Sequence, residues 1–159
     1  PKMFSLNSAM QIDLTRQVAS EQTCGDPARP ACTIRPRQIS GTGSQLDFVM
    51  GAMLAQDGAG VSVLALYSQH KEASRIVPLL SEGTAVTVPR TIVDYVATEW
   101  GLVQLKGLRI DERVRALARI AHPAHRETLM RQAGEAGFLP YGGSTLNGSP
   151  PKGVINCRD

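Results

Sequence analysis

Aromatic residues are scarce: they make up 4% of the 159 residues, with one tryptophan, three tyrosines and three phenylalanines. A surface that stacks successive bases of a single strand needs more aromatic side chains than that. Charge of one sign is also short. Lysine and arginine number 17 against 14 acids, a formal excess of +3, well below the basic footprint of a dedicated nucleic-acid module. No nucleic-acid partner is expected. No apolar run approaches the ~18 residues of a membrane-spanning helix, so no membrane partner is expected either. No charged start followed by an apolar stretch is visible, so a secretory signal is not expected and a cytoplasmic location is.

Cysteine is sparse. Cys24, Cys32 and Cys157 are odd in number and widely spaced. There is no C-x-x-C pair and no Cys/His run of zinc spacing. A Cys24–Cys32 disulfide would close a short loop, but nothing demands it. His70, His122 and His125 form no ligand pair, and no metal is expected. His122 and His125 flank a helix start, where capping or solvent exposure is the default.

What remains is 42% hydrophobic and 19% charged, which fits one α/β or α+β domain able to bury its own core. Residues 9–14 alternate apolar and polar, the period of a half-buried strand. Thr15-Arg16 reads as a turn and 17–20 as its hairpin return, although neither turn residue is Gly or Asn. Residues 22–37 are loop-like. A short strand at 38–40 leads into Gly41-Thr42-Gly43-Ser44 and a helix over 45–56, with Leu46, Phe48, Val49 and Met53 available for its buried face. Val61–Leu66 is a buried-strand candidate. Residues 69–74 read as a polar loop, 75–78 as extended, and 84–88 as strand from their β-branched content. Residues 92–97 fit strand or helix. Asp111 is a candidate N-cap for a helix to about 121, with Val114, Leu117, Ala118 and Ala121 as its apolar stripe. Pro123 opens a further helix to about 133. Gly, Pro, Ser and Asn dominate from 134 on, and 140–159 is expected to be a loose tail following a domain over 1–139. No internal repeat is present. The order strand, glycine loop, helix, strand points to α/β architecture with an open sheet.

Three features could carry chemistry. Gly41-Thr42-Gly43-Ser44-Gln45 joins a strand to a helix. Small residues allow close backbone approach, and a helix start offers free N–H groups to an anion. It is neither a Walker loop nor the dinucleotide fingerprint, since Gly-Lys-Ser/Thr and a third glycine are both missing. Thr98-Glu99-Trp100-Gly101 follows an apolar stretch. Glu99 there is an acid, a substrate-orienting anion or a salt-bridge partner. Residues 106–131 hold seven basic and three acidic side chains. A solvated helix face is the default, and a rim for the phosphates of a nucleotide-like cofactor the alternative.

Several blocks in shared order resemble the C-terminal domain of the acetyl-CoA hydrolase / 4-hydroxybutyrate CoA-transferase family, which are class I CoA-transferases. They are Leu6-Asn7-Ser8-Ala9-Met10-Gln11-Ile12-Asp13-Leu14, Ser40-Gly41-Thr42-Gly43-Ser44-Gln45-Leu46-Asp47-Phe48, Ser74-Arg75-Ile76-Val77-Pro78 and Val88-Pro89-Arg90. Val93-Asp94-Tyr95-Val96-Ala97-Thr98-Glu99-Trp100-Gly101, Leu105-Lys106-Gly107 and Ile120-Ala121-His122-Pro123 follow. Together they cover about residues 3–133.

The resemblance implies one of two similar α/β lobes of a longer enzyme, homo-oligomeric when complete. Such enzymes move coenzyme A between an acyl-CoA and a small carboxylate, or hydrolyse acyl-CoA. A glutamate attacks the thioester and passes through an anhydride to a glutamyl-CoA thioester. By the resemblance that glutamate lies upstream of the Asn7 block, outside this sequence, so this chain by itself is expected to be inactive. A non-catalytic lobe that binds coenzyme A or a partner is the alternative. The resemblance also implies site residues. The family's Gly-x-Gly-Gly-Gln loop, which supplies an oxyanion-hole N–H, matches Gly41, Gly43, Ser44 and Gln45, with Ser44 in place of the second adjacent glycine. Glu99 matches a glutamate at the carboxylate pocket. Lys71 is the nearest match to a lysine that contacts coenzyme A, although the glycines that follow it in the family are absent here. Arg16 stands where the family has a turn glycine, and 22–37 is a longer loop than usual.

Overall fold

The computed structural model describes residues 2–23, 37–140 and 153–156. In chain order the elements are β1 (Phe4–Ser8), β2 (Gln11–Asp13), β3 (Val18–Ala19), β4 (Gln22–Thr23), β5 (Arg37–Gln38), α1 (Gln45–Met53) and β6 (Val61–Ala65). They continue with β7 (Gln69–His70), β8 (Ala73–Ser74), β9 (Ile76–Val77), β10 (Tyr95–Thr98), β11 (Gly101–Gln104), α2 (Ile110–Ile120), α3 (Pro123–Glu135) and β12 (Val154–Asn156).

The main sheet has the order β1-β6-β10-β11-β12. Its first three strands are parallel, with Ser8, Ala65 and Ala97 in register at their carboxyl ends. β11 and β12 then turn antiparallel. The mixture follows from connection length. Parallel neighbours need a long crossover, which the segment carrying α1 and the segment between β6 and β10 supply, whereas β10 and β11 are separated only by a tight turn at Glu99-Trp100. A second sheet, β3-β2-β9, lies beside the first. β4 pairs with β5, and β7 with β8, as two-stranded ribbons. The expected open-sheet α/β class is what the chain adopts.

Between the helices and the sheets sits one core in which Ile12, Leu64, Val96, Leu105, Leu117 and Ile120 are almost wholly enclosed. α2 supplies most of the helical share. Val114, Leu117, Ala118 and Ala121, the stripe read from the sequence, are all buried, and Ala116 and Ile120 join them.

Several expectations are corrected. Residues 9–14 are not one strand: β1 ends at Ser8, and Ala9 donates to the Ala65 carbonyl at 2.8 Å before β2 begins in another sheet. The apolar face of α1 is Val49 and Ala52. Phe48 and Met53 are 53% and 42% exposed, because helical periodicity cannot say which of two apolar faces meets the sheet. Residues 84–88 form no strand; Val88 makes only an isolated bridge to Val18. The polar 69–74 segment is a hairpin with Lys71 at φ 54° in its turn. α2 starts at Ile110, and Arg109 rather than Asp111 caps it, since Glu112 Oε2 accepts from the Arg109 N–H at 2.8 Å and places Asp111 inside the first turn. Within the expected loose tail, Val154–Asn156 pair with β11 as an edge strand. β11 was hidden because Gly101-Leu102-Val103-Gln104 is too short for a pattern. Cys24, Cys32 and Cys157 lie outside the described residues.

The 13–17 turn shows how a hairpin closes without Gly or Asn. The Asp13 carboxylate accepts from the Thr15 N–H at 2.9 Å, the Thr15 hydroxyl at 2.8 Å, and the Gln17 N–H and side-chain amide, both at 2.9 Å. Arg16 adopts φ 86° there, the left-handed region that suits the family's glycine. Its guanidinium donates to the carbonyls of Arg90 and Leu105, fixing the strained residue from across the fold. Burial pulls the Arg16 guanidinium down to about 10; nearby Arg113 adds to this, and Asp94 opposes it.

Candidate active site at the carboxyl edge of the parallel strands

In open α/β sheets, ligands collect outside the carboxyl ends of parallel strands, where loops leave and helices begin. Here that edge runs from Ser8 through Ala65 to Thr98. Each element delivers a polar group to it.

From β1, the Ser8 carbonyl accepts from Gln45 Nε2 at 2.7 Å. This bond anchors the first residue of α1 to the strand end, and with it the preceding glycine loop. Gly41, Thr42, Gly43 and Ser44 are all exposed, and nothing lies within 4 Å of where a Cβ would stand on Gly41 or Gly43. The Thr42 hydroxyl donates to Glu21 Oε2 at 3.1 Å, bracing the loop against the segment before β4–β5. Ser44 is the N-cap of α1 at φ −87°, ψ 19°. Any L-residue can hold that conformation, so serine in the place of a glycine leaves the backbone N–H groups of the helix start as they are. The Gln45 Oε1 atom is enclosed without a hydrogen-bond partner.

From β6 and β10 comes the centre of the site. The Leu66 N–H donates to the Ala97 carbonyl at 3.0 Å, holding the two exits together. Just beyond, the Ser68 N–H donates to Glu99 Oε2 at 2.9 Å and its hydroxyl to Oε1 at 2.6 Å. Both carboxylate oxygens are thus gripped by one fully enclosed serine. Burial pushes the Glu99 carboxyl up, but the two Ser68 bonds, with a smaller contribution from His122, outweigh it and hold Glu99 below the usual glutamate range. Among the described residues Glu99 makes no ion pair with lysine or arginine.

Trp100 follows, with its N–H on the Thr98 hydroxyl at 3.1 Å, and that hydroxyl donates to the Ile120 carbonyl at 2.6 Å. The His122 ring meets Trp100 edge-on at 5.5 Å between centroids, and Arg126 lies over the Trp100 ring at 5.6 Å. His122 is the N-cap of α3, accepting at Nδ1 from the Ala124 N–H at 3.3 Å. His125 contacts Gln69 Oε1 at 3.2 Å, and burial, with His122 nearby, lowers its pKa. The cap role read for these histidines holds for His122, and both are half-buried rather than solvated. Sequence reading missed Ser68 as the partner of Glu99 and Arg126 as the cation over Trp100. The start of α3 at Pro123 was read from the sequence.

The structure thus places the glycine loop with Gln45, and Glu99, on one sheet edge. Lys71 is exposed in the hairpin turn after His70, apart from the residues that hold Glu99 and the glycine loop in hydrogen bonds. Of the arginines of 106–131, Arg109 pairs with Asp111, Arg131 with Glu135, and Arg126 stacks on Trp100. Among the described residues, no group of three His, Cys, Asp or Glu side chains is arranged to hold a metal ion. No described helix is long and apolar enough to cross a membrane.

Residues 1–133 match the family model for the acetyl-CoA hydrolase/transferase C-terminal domain. The chain belongs to that family. It is 44% identical over 130 residues to the 4-hydroxybutyrate coenzyme A transferase of Clostridium kluyveri, covering 82% of this chain and 28% of that protein. Against the butyryl-CoA:acetate CoA-transferase of Anaerostipes caccae the identity is 38% over 136 residues, covering 84% and 28%. Among solved structures, the 4-hydroxybutyrate CoA-transferase from Porphyromonas gingivalis superposes with a TM-score of 0.60 at 32% identity, covering 84% of this chain and 27% of that one. RipA from Yersinia pestis does so with a TM-score of 0.66 at 33% identity, covering 86% and 26%. The domain therefore spans little more than a quarter of the relatives it matches.

Proposed function

We propose that this domain supplies the carboxylate-handling part of an active site that moves coenzyme A between an acyl-CoA and a small carboxylate of the 4-hydroxybutyrate or acetate type, or hydrolyses the acyl-CoA. The observation that carries the reading is Glu99, ionised, gripped at both oxygens by Ser68 and set at the same sheet edge as the Gly41–Gln45 loop.

The chemistry has two demands. A carboxylate must attack the thioester carbonyl, expelling the coenzyme A thiolate and forming an anhydride. The thiolate then attacks the carboxyl of the attacking residue, releasing the free carboxylate and leaving an enzyme-bound thioester. The attacking glutamate is assigned to sequence outside these 159 residues. Each tetrahedral intermediate places negative charge on an oxygen, which needs a preset N–H donor. The Gly43 and Ser44 backbone is assigned that task, since a helix start has unpaired N–H groups pointing outward. Gln45 fixes the loop through Ser8, Glu99 orients the carboxylate substrate through a cation contributed from elsewhere in the enzyme, and Lys71, free to swing from its hairpin turn, is assigned to coenzyme A.

The test is Glu99→Gln in the complete enzyme. The amide keeps the size and accepts from Ser68 through one oxygen, but carries no charge. KM for the carboxylate should rise roughly tenfold or more, about 1.4 kcal/mol, while KM for acyl-CoA stays within about twofold. Unchanged kinetics for both substrates would remove Glu99 from the site.

A further inference from the structure

Arg75 stands between β8 and β9, on the same edge as Glu99, and nothing above uses it. Its N–H donates to the Ser68 carbonyl at 2.8 Å, so it is bonded to the residue that grips Glu99. Its own carbonyl accepts from the Ile12 N–H at 3.0 Å. The side chain reaches across to the exit of β1, where Nη1 donates to the Met10 carbonyl at 3.1 Å. Among the described residues that is the guanidinium's one hydrogen bond, and no carboxylate pairs with it.

Four other arginines differ. Arg109 and Arg131 are exposed and paired with Asp111 and Glu135. Arg16 is enclosed and spans two carbonyls with Asp94 nearby, and Arg126 stacks on Trp100. Arg75 is half-buried, and its remaining nitrogens are not among the sealed, unpartnered ones. They keep some exposure to solvent. Burial lowers its pKa, and no counter-charge offsets that. A partly desolvated cation held by one neutral carbonyl is unfavourable until an anion arrives. A guanidinium presents parallel N–H groups that match a carboxylate or phosphate in a two-pronged contact.

We propose that Arg75 is an oxyanion-binding residue of this edge, with Met10 holding one arm of the guanidinium so that the free donors receive a carboxylate or phosphate oxygen pair. The assignment rests on the reading of the edge as a coenzyme A transfer site, whose substrates carry both groups.

The test follows the Arg75 Nε–Hε signal by NMR in the 159-residue chain during separate titrations with acetate, inorganic pyrophosphate and coenzyme A. A saturable shift with acetate alone supports a carboxylate site, one with pyrophosphate and coenzyme A alone a phosphate site, and one with all three a general oxyanion site. Arg75→Gln should weaken whichever binding is seen by about tenfold or more, with Arg75→Lys in between. No saturable shift with any of the three overturns the assignment without recourse to a variant. Coenzyme A binding that moves other signals while Arg75 responds to none of the three overturns the assignment and leaves the transfer-site reading standing. An Arg75 response to acetate or pyrophosphate in a chain that does not bind coenzyme A supports the assignment and counts against that reading.

Discussion

Among the described residues Glu99 is held below the usual glutamate range mainly by the Ser68 hydrogen bonds and not by a lysine or arginine. Ser68 provides a hydroxyl and an N–H to it at 2.6 and 2.9 Å. Ser68→Ala removes the shorter bond, so the Glu99 carboxyl should move up toward the ordinary glutamate value, which carboxyl-carbon NMR titration would read directly. A Glu99 that titrates identically in wild type and Ser68→Ala would show that the hydroxyl is not the cause. The depressed value also fixes a sign. A carboxyl whose folded pKa lies below its unfolded one adds stability above the unfolded value and loses it as pH falls through the folded value. His125, also lowered, acts in the same direction, because the fold resists its protonation. Denaturant midpoints should therefore fall on acidification, first below the ordinary histidine range through His125 and then below the ordinary glutamate range through Glu99. Glu99→Gln should flatten the second fall and leave the first.

Elements here are fixed by single contacts at their ends. A methyl group on Gly60 would stand 1.9 Å from the Ala52 carbonyl oxygen and 2.9 Å from Ala55 Cβ. The chain returning from α1 into β6 passes that close to the helix. Gly60→Ala should cost about 1–3 kcal/mol through overpacking against backbone, measured by urea denaturation, whereas Ser44→Gly at φ −87° should cost well under about 1 kcal/mol. The 13–17 turn behaves oppositely. Its left-handed residue is Arg16, and Arg16→Met would strand the Arg90 and Leu105 carbonyls without their donor. Each buried acceptor left unpaired costs about 1–3 kcal/mol, so Arg16→Met should destabilise the domain by about 2 kcal/mol or more. A loss near zero would mean that water replaces the guanidinium.

Over the whole molecule, apolar surface is unevenly shared. Phe4 and Leu6 on the edge strand β1 are 65% and 62% exposed, and Phe48 and Leu54 on or just after α1 are 53% and 66% exposed. Met3 packs on Gly51 of α1, which brings the start of β1 and the outer side of α1 together. Exposed apolar side chains favour association, and a strand edge that is unpaired among the described residues adds to it. The isolated 159-residue chain should self-associate as its concentration rises in sedimentation velocity, and Phe4→Ser with Leu6→Ser should suppress this. A strictly monomeric wild type at high concentration would contradict it.

The α/β class, β6, the three helices to within a few residues, and the buried stripe of α2 were legible in the sequence, because each depends on local periodicity or on punctuation by Gly and Pro. The family was legible too, since its blocks keep their order. The buried face of α1, the pairing of β11 with β12, and the failure of 84–88 to form a strand were not. Those depend on which surface meets which, and short β segments gain their hydrogen bonds only from partners far along the chain. The candidate site divides in the same way. Gly41, Gly43, Ser44, Gln45 and Glu99 stood out as residue types at given spacings. That Ser68 holds Glu99, that His122 and Arg126 close on Trp100, and that Arg75 reaches Met10 was decided by the tertiary fold alone, which brings strand ends from four separate stretches of chain to one edge.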